Sequence, residues 1–196
     1  MTVAWNHELS EQLTWHWEHQ LRARFAGLSD EEYFWEPVDG CWNVRRRGTS
    51  VTKMAGGAGE FVIDFEFPQP EPEPVTTIAW RLGHLIVGVF GARVASHFGG
   101  PAVDYYSHDY AGTAQRALDQ LDAQYDAWIA GVRSLGEDGL ARACGEAEPY
   151  PELTMAALVL HIHREVIHHA RRSRCSGISI GPISWRATRA EGRPET

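Results

Sequence analysis

The feature that most constrains the fold is a set of four stretches in which apolar residues recur every three or four positions. This spacing places them on one face of an α-helix, so it predicts helices at about 5–28, 75–98, 112–135 and 152–174. Four helices of this length in a chain of 196 residues predict an all-α, four-helix bundle. The clearest stripe is that of the third predicted helix: Ala114, Leu118, Leu121, Tyr125, Trp128, Val132 and Leu135.

A long insertion, at about 45–74, separates the first two predicted helices. Phenylalanine and isoleucine alternate with other residues in 60–67, which predicts a short strand. Prolines on alternate positions of 68–74 exclude helix and central strand there. We expect a single domain over 1–185, a flexible tail at 186–196, and an insertion that covers one end of the bundle and limits access to it.

Composition narrows the classes of function. The formal net charge of −8 argues against a general affinity for nucleic acid. No signal peptide is evident, and no uninterrupted apolar run approaches the length of a membrane span. Three cysteines, Cys41, Cys144 and Cys175, form no CxxC motif and suit a reducing compartment. We therefore expect a cytoplasmic protein without a membrane partner.

The last predicted helix carries a dense group of potential metal ligands between His161 and His169. His161, Glu165 and His169 are spaced by four and form a column on one helix face, with His168 beside it. Imidazole and carboxylate are common ligands of zinc, nickel, iron and manganese. The pattern predicts a metal site, while a solvated polar face near the helix end is the alternative.

A single histidine, His84, stands out on the second predicted helix. It shares a helix side with Trp80, Gly88 and Gly91, and the glycines would leave space beside it for a neighbour or a ligand. His84 is therefore either a further metal ligand or a histidine packed against Trp80.

Together these residues resemble the DinB-like (damage-inducible, YfiT-type) superfamily. The resemblance lies in the first helix, the loop that contains Trp35 and Trp42, the motif Gly83-His84-Leu85 and the motif Arg164–His169. The segment 28–42 also resembles an actinobacterial subgroup. The resemblance implies an up-up-down-down four-helix bundle with a divalent metal ion between helices.

The usual ligands of that family are three histidines, one on the second helix and two spaced by four on the last. The first carries over to His84 and the final one to His169, but Glu165 occupies the remaining position. Glu165 is either a direct ligand or a hydrogen-bond partner of a ligand histidine, and His161 and His168 are alternative ligands. We expect zinc first, with nickel, iron or manganese as alternatives.

The resemblance suggests a reaction on a small-molecule substrate, with a low-molecular-weight thiol such as mycothiol as the cosubstrate of an S-transferase. Lys53 is the one lysine among 18 basic residues, which is compatible with an actinobacterial source. Arg164 and the Arg45–Arg47 run are candidates to contact a substrate carboxylate. A metal-dependent hydrolase and a non-catalytic, stress-associated metal-binding bundle remain the alternatives. Catalytic residues and oligomeric state stay open, with a homodimer as one option.

Overall fold

A computed structural model describes residues 2–172, and this part of the chain is mostly helical with one small antiparallel sheet. The helical majority agrees with the sequence prediction, whereas the sheet has three strands where the sequence predicts one. The predictions for 173–196, which include the end of the last helix, Cys175 and the 186–196 tail, lie outside the described residues.

Helix α1 begins with an α-helical segment, Trp5–His16, and continues as a π-helical turn, Trp17–Leu21, and a 3-10 turn, Arg22–Phe25. The chain leaves the helix before Gly27, whose positive φ of 72° suits a turn. The predicted helix 5–28 is thus confirmed with a slightly earlier end. Its buried stripe is the predicted one: Leu9, Leu13, Trp17, Leu21 and Phe25.

A short helix that the sequence prediction missed, α2 (Asp30–Phe34), follows the turn. Ser29 accepts a hydrogen bond from the backbone N–H of Glu32, and the Glu32 carboxylate accepts one from the backbone N–H of Ser29. This reciprocal capping box was the available sequence signal. The segment is anchored through Tyr33, which is buried.

The insertion forms a three-stranded antiparallel sheet of β1 (Val44–Arg46), β2 (Met54–Gly56) and β3 (Phe61–Phe65). Strand β3 lies in the centre, which confirms the predicted strand with shorter bounds. Strands β1 and β2 were not predicted, because three residues are too few to display an alternating pattern.

Helix α3 consists of Ile78–His84, a π-helical segment Leu85–Gly91, and Ala92–Phe98. The Thr77 hydroxyl caps its first turn by accepting a hydrogen bond from the backbone N–H of Trp80 at 3.2 Å. By length and composition alone this helix could cross a membrane, since its most apolar window has a mean hydropathy of 1.3. Arg81, His84 and Arg93 interrupt its apolar residues, so it is not the uninterrupted apolar run that the sequence analysis looked for. Its most apolar window is 56% buried inside the protein, as in a core helix.

Two further helices complete the described part, α4 (Ala114–Ala141) and α5 (Met155–Arg172). Gly136 has a non-helical conformation and marks the predicted end of α4, but one more helical turn follows the break. Helix α5 begins three residues later than predicted.

The long helices share one apolar core, to which the sheet contributes Val44 and Ile63. Helices α1 and α3 both pack against α4 and α5, and α4 also contacts α5. Aromatic rings such as Phe90, Tyr125 and Trp128 fill the centre. The contact between α3 and α5 is the one that determines the candidate site.

Candidate metal centre

His84 on α3 lies against His169 on α5. One face of its imidazole stacks on Trp80, with ring centroids 5.3 Å apart and an interplanar angle of 12°. The Trp80 indole N–H in turn donates to the backbone carbonyl of Asp64 in β3 at 2.7 Å. The insertion thus reaches the site through Trp80. The sequence analysis gave packing against Trp80 and metal ligation as alternatives for His84. The observed stacking is compatible with ligation.

The Nδ1 edge of His84 meets the hydroxyl of Tyr105, 2.6 Å away, in the segment between α3 and α4. Tyr105 was not predicted from the sequence, since nothing in its local pattern links it to a helix 21 residues earlier. The space beside Gly88 that the sequence did predict is filled by this hydroxyl, and the corresponding space at Gly91 is filled by Val103.

Helix α5 brings the predicted column to the same place. The ring of His169 lies 4.7 Å from that of His84, centroid to centroid, in an edge-to-face arrangement. Glu165 Oε2 lies 3.4 Å from His169 Nε2. Two ligand atoms on one tetrahedral zinc ion lie about 3.3 Å apart when both bonds are about 2.0 Å long. The spacing of this pair therefore suits one shared ion.

The two alternative ligands occupy different surroundings. His161 Nδ1 is 3.8 Å from Glu165 Oε1 but only 2.8 Å from a guanidinium nitrogen of Arg164. Its side chain is 44% exposed, more than twice the 20% of His169. The ring of His168 lies 5.3 Å from that of His169, nearly perpendicular to it. His161 thus extends the column toward solvent, and His168 flanks it.

Charge and burial set the protonation states in this cluster. Burial, with a further contribution from His169, lowers the pKa of His84 to about 3. The hydrogen bond to His169 lowers the pKa of Glu165, and burial lowers that of His161. At neutral pH His84 and His161 are therefore neutral imidazoles and Glu165 is an ionised carboxylate, which are the forms that ligate metal ions.

Within residues 2–172, no three His, Cys, Asp or Glu side chains form a ready-made metal-binding group. The donor types suit a divalent ion, and the Glu165–His169 spacing suits a shared one. The arrangement is thus a pair of donors with the His84 ring alongside, rather than a closed coordination shell.

Other charged groups near the cluster escaped the sequence analysis. Arg93 donates to the Gly88 carbonyl and to Glu148 Oε2, and Glu148 Oε1 lies 3.0 Å from His97 Nε2. The Arg93 charge also contributes to the lowered pKa of His84. Glu148 lies outside the long helices, so no helical periodicity connected it to this network.

The remaining candidates from the sequence lie elsewhere. His163 is buried against Trp128, away from the column, as its helical position predicted. Arg45 forms ion pairs with Glu36, which precedes the insertion, and with Asp64 inside it, which leaves Arg45 a structural role. Cys41 and Cys144 are free thiols.

Fold and site together define a helical protein with a histidine–carboxylate cluster where its second long helix meets its last. The family model of the DinB superfamily matches residues 12–172. The chain therefore belongs to the DinB superfamily, as its motifs suggested. Neither the curated proteins nor the solved structures yielded a match.

Proposed function

We propose that this chain is a divalent-metal-dependent member of the DinB superfamily in which His84, Glu165 and His169 bind one ion. Zinc is the first candidate for that ion. The observation that carries the proposal is the approach of the His84 ring to within 4.7 Å of His169, which itself lies beside Glu165. These residues come from helices about 80 positions apart in the sequence. The proposal includes an up-up-down-down four-helix bundle as the scaffold and a cytoplasmic location.

The reaction that we propose is transfer of a low-molecular-weight thiol, of the mycothiol type, to a small-molecule substrate. When bound, a divalent ion lowers the pKa of a thiol and so favours its nucleophilic thiolate form. Neutral His84 adds no charge to such a site, and ionised Glu165 makes it less positive than three histidines would. A metal-dependent hydrolase and a non-catalytic metal-binding role are the competing proposals.

We infer that Arg164 contacts a substrate carboxylate. It precedes Glu165, lies next to His161, and its side chain is 56% exposed. A guanidinium group can bind a carboxylate through two parallel hydrogen bonds. Arg45, the other candidate from the sequence, is already engaged by Glu36 and Asp64.

Elemental analysis of the purified, untagged protein tests the metal site. We expect about one ion per chain, and loss of most of it in His84→Ala and in His169→Ala. His7→Ala, which alters an exposed histidine far from the column in sequence, should keep it. Glu165→His should retain metal if Glu165 is a direct ligand. Full occupancy in both alanine variants would overturn the assignment.

Cobalt substitution tests the thiol chemistry separately from metal binding. A cobalt–thiolate bond gives a near-ultraviolet charge-transfer band, so titration with mycothiol should raise this band until it saturates. Arg164→Ala should weaken the titration only if the thiol or its partner is held through a carboxylate. A flat titration of fully loaded protein would instead favour the hydrolase or the non-catalytic proposal.

A further inference from the structure

We propose that Tyr105 is a positioning residue for His84: its hydroxyl accepts the Nδ1–H of the imidazole and so leaves the Nε2 lone pair available for ligation. The orientation of His84 does not depend on a bound ion. The benefit of this orientation for metal ligation rests on the proposed metal site.

Two contacts restrain the His84 ring in different directions. The hydroxyl of Tyr105, 2.6 Å from Nδ1, opposes rotation within the plane of the imidazole. Trp80 stacks on the ring face and opposes tilting. The planes of the Tyr105 ring and the imidazole are nearly parallel, at an angle of 13°.

Gly88 makes room for this hydrogen bond. It lies one helical turn after His84, and a methyl group there would overlap the Tyr105 hydroxyl and lie 3.2 Å from His84 Nδ1. Alanine is more favourable than glycine within a helix by about 1 kcal/mol. The glycine is therefore unfavourable for the helix itself, and the close approach of Tyr105 accounts for it.

The insertion and its neighbours hold Tyr105 in place. A side chain at Gly56 in β2 would overlap the Tyr105 carbonyl, so strand and tyrosine backbone are in close contact. The Tyr110 hydroxyl donates to the same carbonyl at 3.3 Å. Together with the Trp80–Asp64 hydrogen bond, these contacts give the insertion a function: it supports both side chains that fix His84.

The two possible directions of this hydrogen bond leave different ring nitrogens of His84 protonated. Burial raises the pKa of Tyr105 to about 12, so the group is a neutral hydroxyl at neutral pH and can accept or donate. If it donated to Nδ1, the imidazole proton would sit on Nε2 and block that atom. Ligand histidines in metal sites commonly donate their other ring N–H to a fixed acceptor. The acceptor role of Tyr105 is the one that keeps Nε2 free.

Nitrogen-15 NMR of the metal-free protein tests the orientation directly, because it distinguishes the two neutral imidazole tautomers. We expect His84 to carry its proton on Nδ1 in the wild type. Tyr105→Phe should reduce that tautomer, while Tyr106→Phe, which removes an exposed neighbouring hydroxyl, should not. Gly88→Ala should act like Tyr105→Phe, since it displaces the hydroxyl without altering tyrosine.

Metal titrations of the same variants complete the experiment. Zinc affinity should fall by roughly 10–100-fold in Tyr105→Phe and Gly88→Ala and stay unchanged in Tyr106→Phe. A wild-type Nε2–H tautomer, or a tautomer unaffected by Tyr105→Phe, would overturn the positioning role. If the tautomer behaves as expected but the wild type binds no metal, the positioning role stands and the proposed metal site fails.

Discussion

His163 is a buried histidine whose ring nitrogens both lack a hydrogen-bond partner within the described residues, and it is only 1% exposed. An unpaired polar group in the core costs about 1–3 kcal/mol. We therefore expect His163→Leu to raise the free energy of unfolding by about that amount, as measured by urea denaturation at pH 7. The exposed His7, changed in the same way, should alter it by less than about 0.5 kcal/mol.

The same histidine should make the protein sensitive to acid. Burial lowers the pKa of His163 to about 4, whereas an unfolded chain restores it to about 6.5. Between these values the unfolded state binds more protons, so stability falls as pH decreases from 6.5 to 4, by about 3 kcal/mol in total. In His163→Leu this part of the loss should vanish. The part of the loss in stability that comes from the lowered pKa of His84 should remain. An unchanged pH profile would contradict the assignment.

At the scale of elements, the sheet depends on one buried carboxylate. Asp64 in β3 is fully buried and accepts hydrogen bonds from Arg45 Nε at 2.7 Å and from the backbone N–H of Asn43 at 3.1 Å. Removing one partner of a buried ion pair typically costs about 3–5 kcal/mol. We expect Arg45→Met to destabilise the protein by that amount in thermal or urea unfolding.

A matched control lies next in the chain. Arg46 pairs with Glu60 at the surface, where both side chains are more than half exposed, so Arg46→Met should cost less than about 1 kcal/mol. Hydrogen exchange should locate the damage of Arg45→Met in the insertion and at Trp80, whose indole is bonded to the Asp64 backbone. Equal effects of the two substitutions would show that the buried ion pair is not what holds the sheet.

These elements also show what the sequence could predict. The apolar stripes gave the long helices because helical spacing is a local property, and the column of Glu165 and His169 followed from the same spacing. Tyr105 and Glu148 lie in segments without helical periodicity, and only tertiary packing brings them to the cluster. The short strands β1 and β2 were missed for a related reason. They form by pairing with β3, beside the buried Asp64, and such pairing leaves no pattern in their own few residues.

At the scale of the whole molecule, the proposed ion would join α3 to α5 across the core. A ligand that binds only the folded state adds RT ln(1 + [L]/Kd) to its stability, about 2.7 kcal/mol at a hundredfold excess over Kd. We expect zinc to raise the midpoint of thermal unfolding of the wild type, and a chelator to reverse the shift. The gain should require His84 and His169 together, because loss of either leaves only two of the three proposed ligands.

The decisive comparison is therefore a double-mutant cycle measured with and without zinc. If His84 and His169 share an ion, either single alanine variant should abolish nearly the whole zinc-dependent shift, and the double variant should lose no more. Independent sites on α3 and α5 would instead give two partial losses that add. Zinc binding by His161 and Glu165 alone would preserve the shift in His84→Ala, and that result would place the ion on α5 without any link to α3.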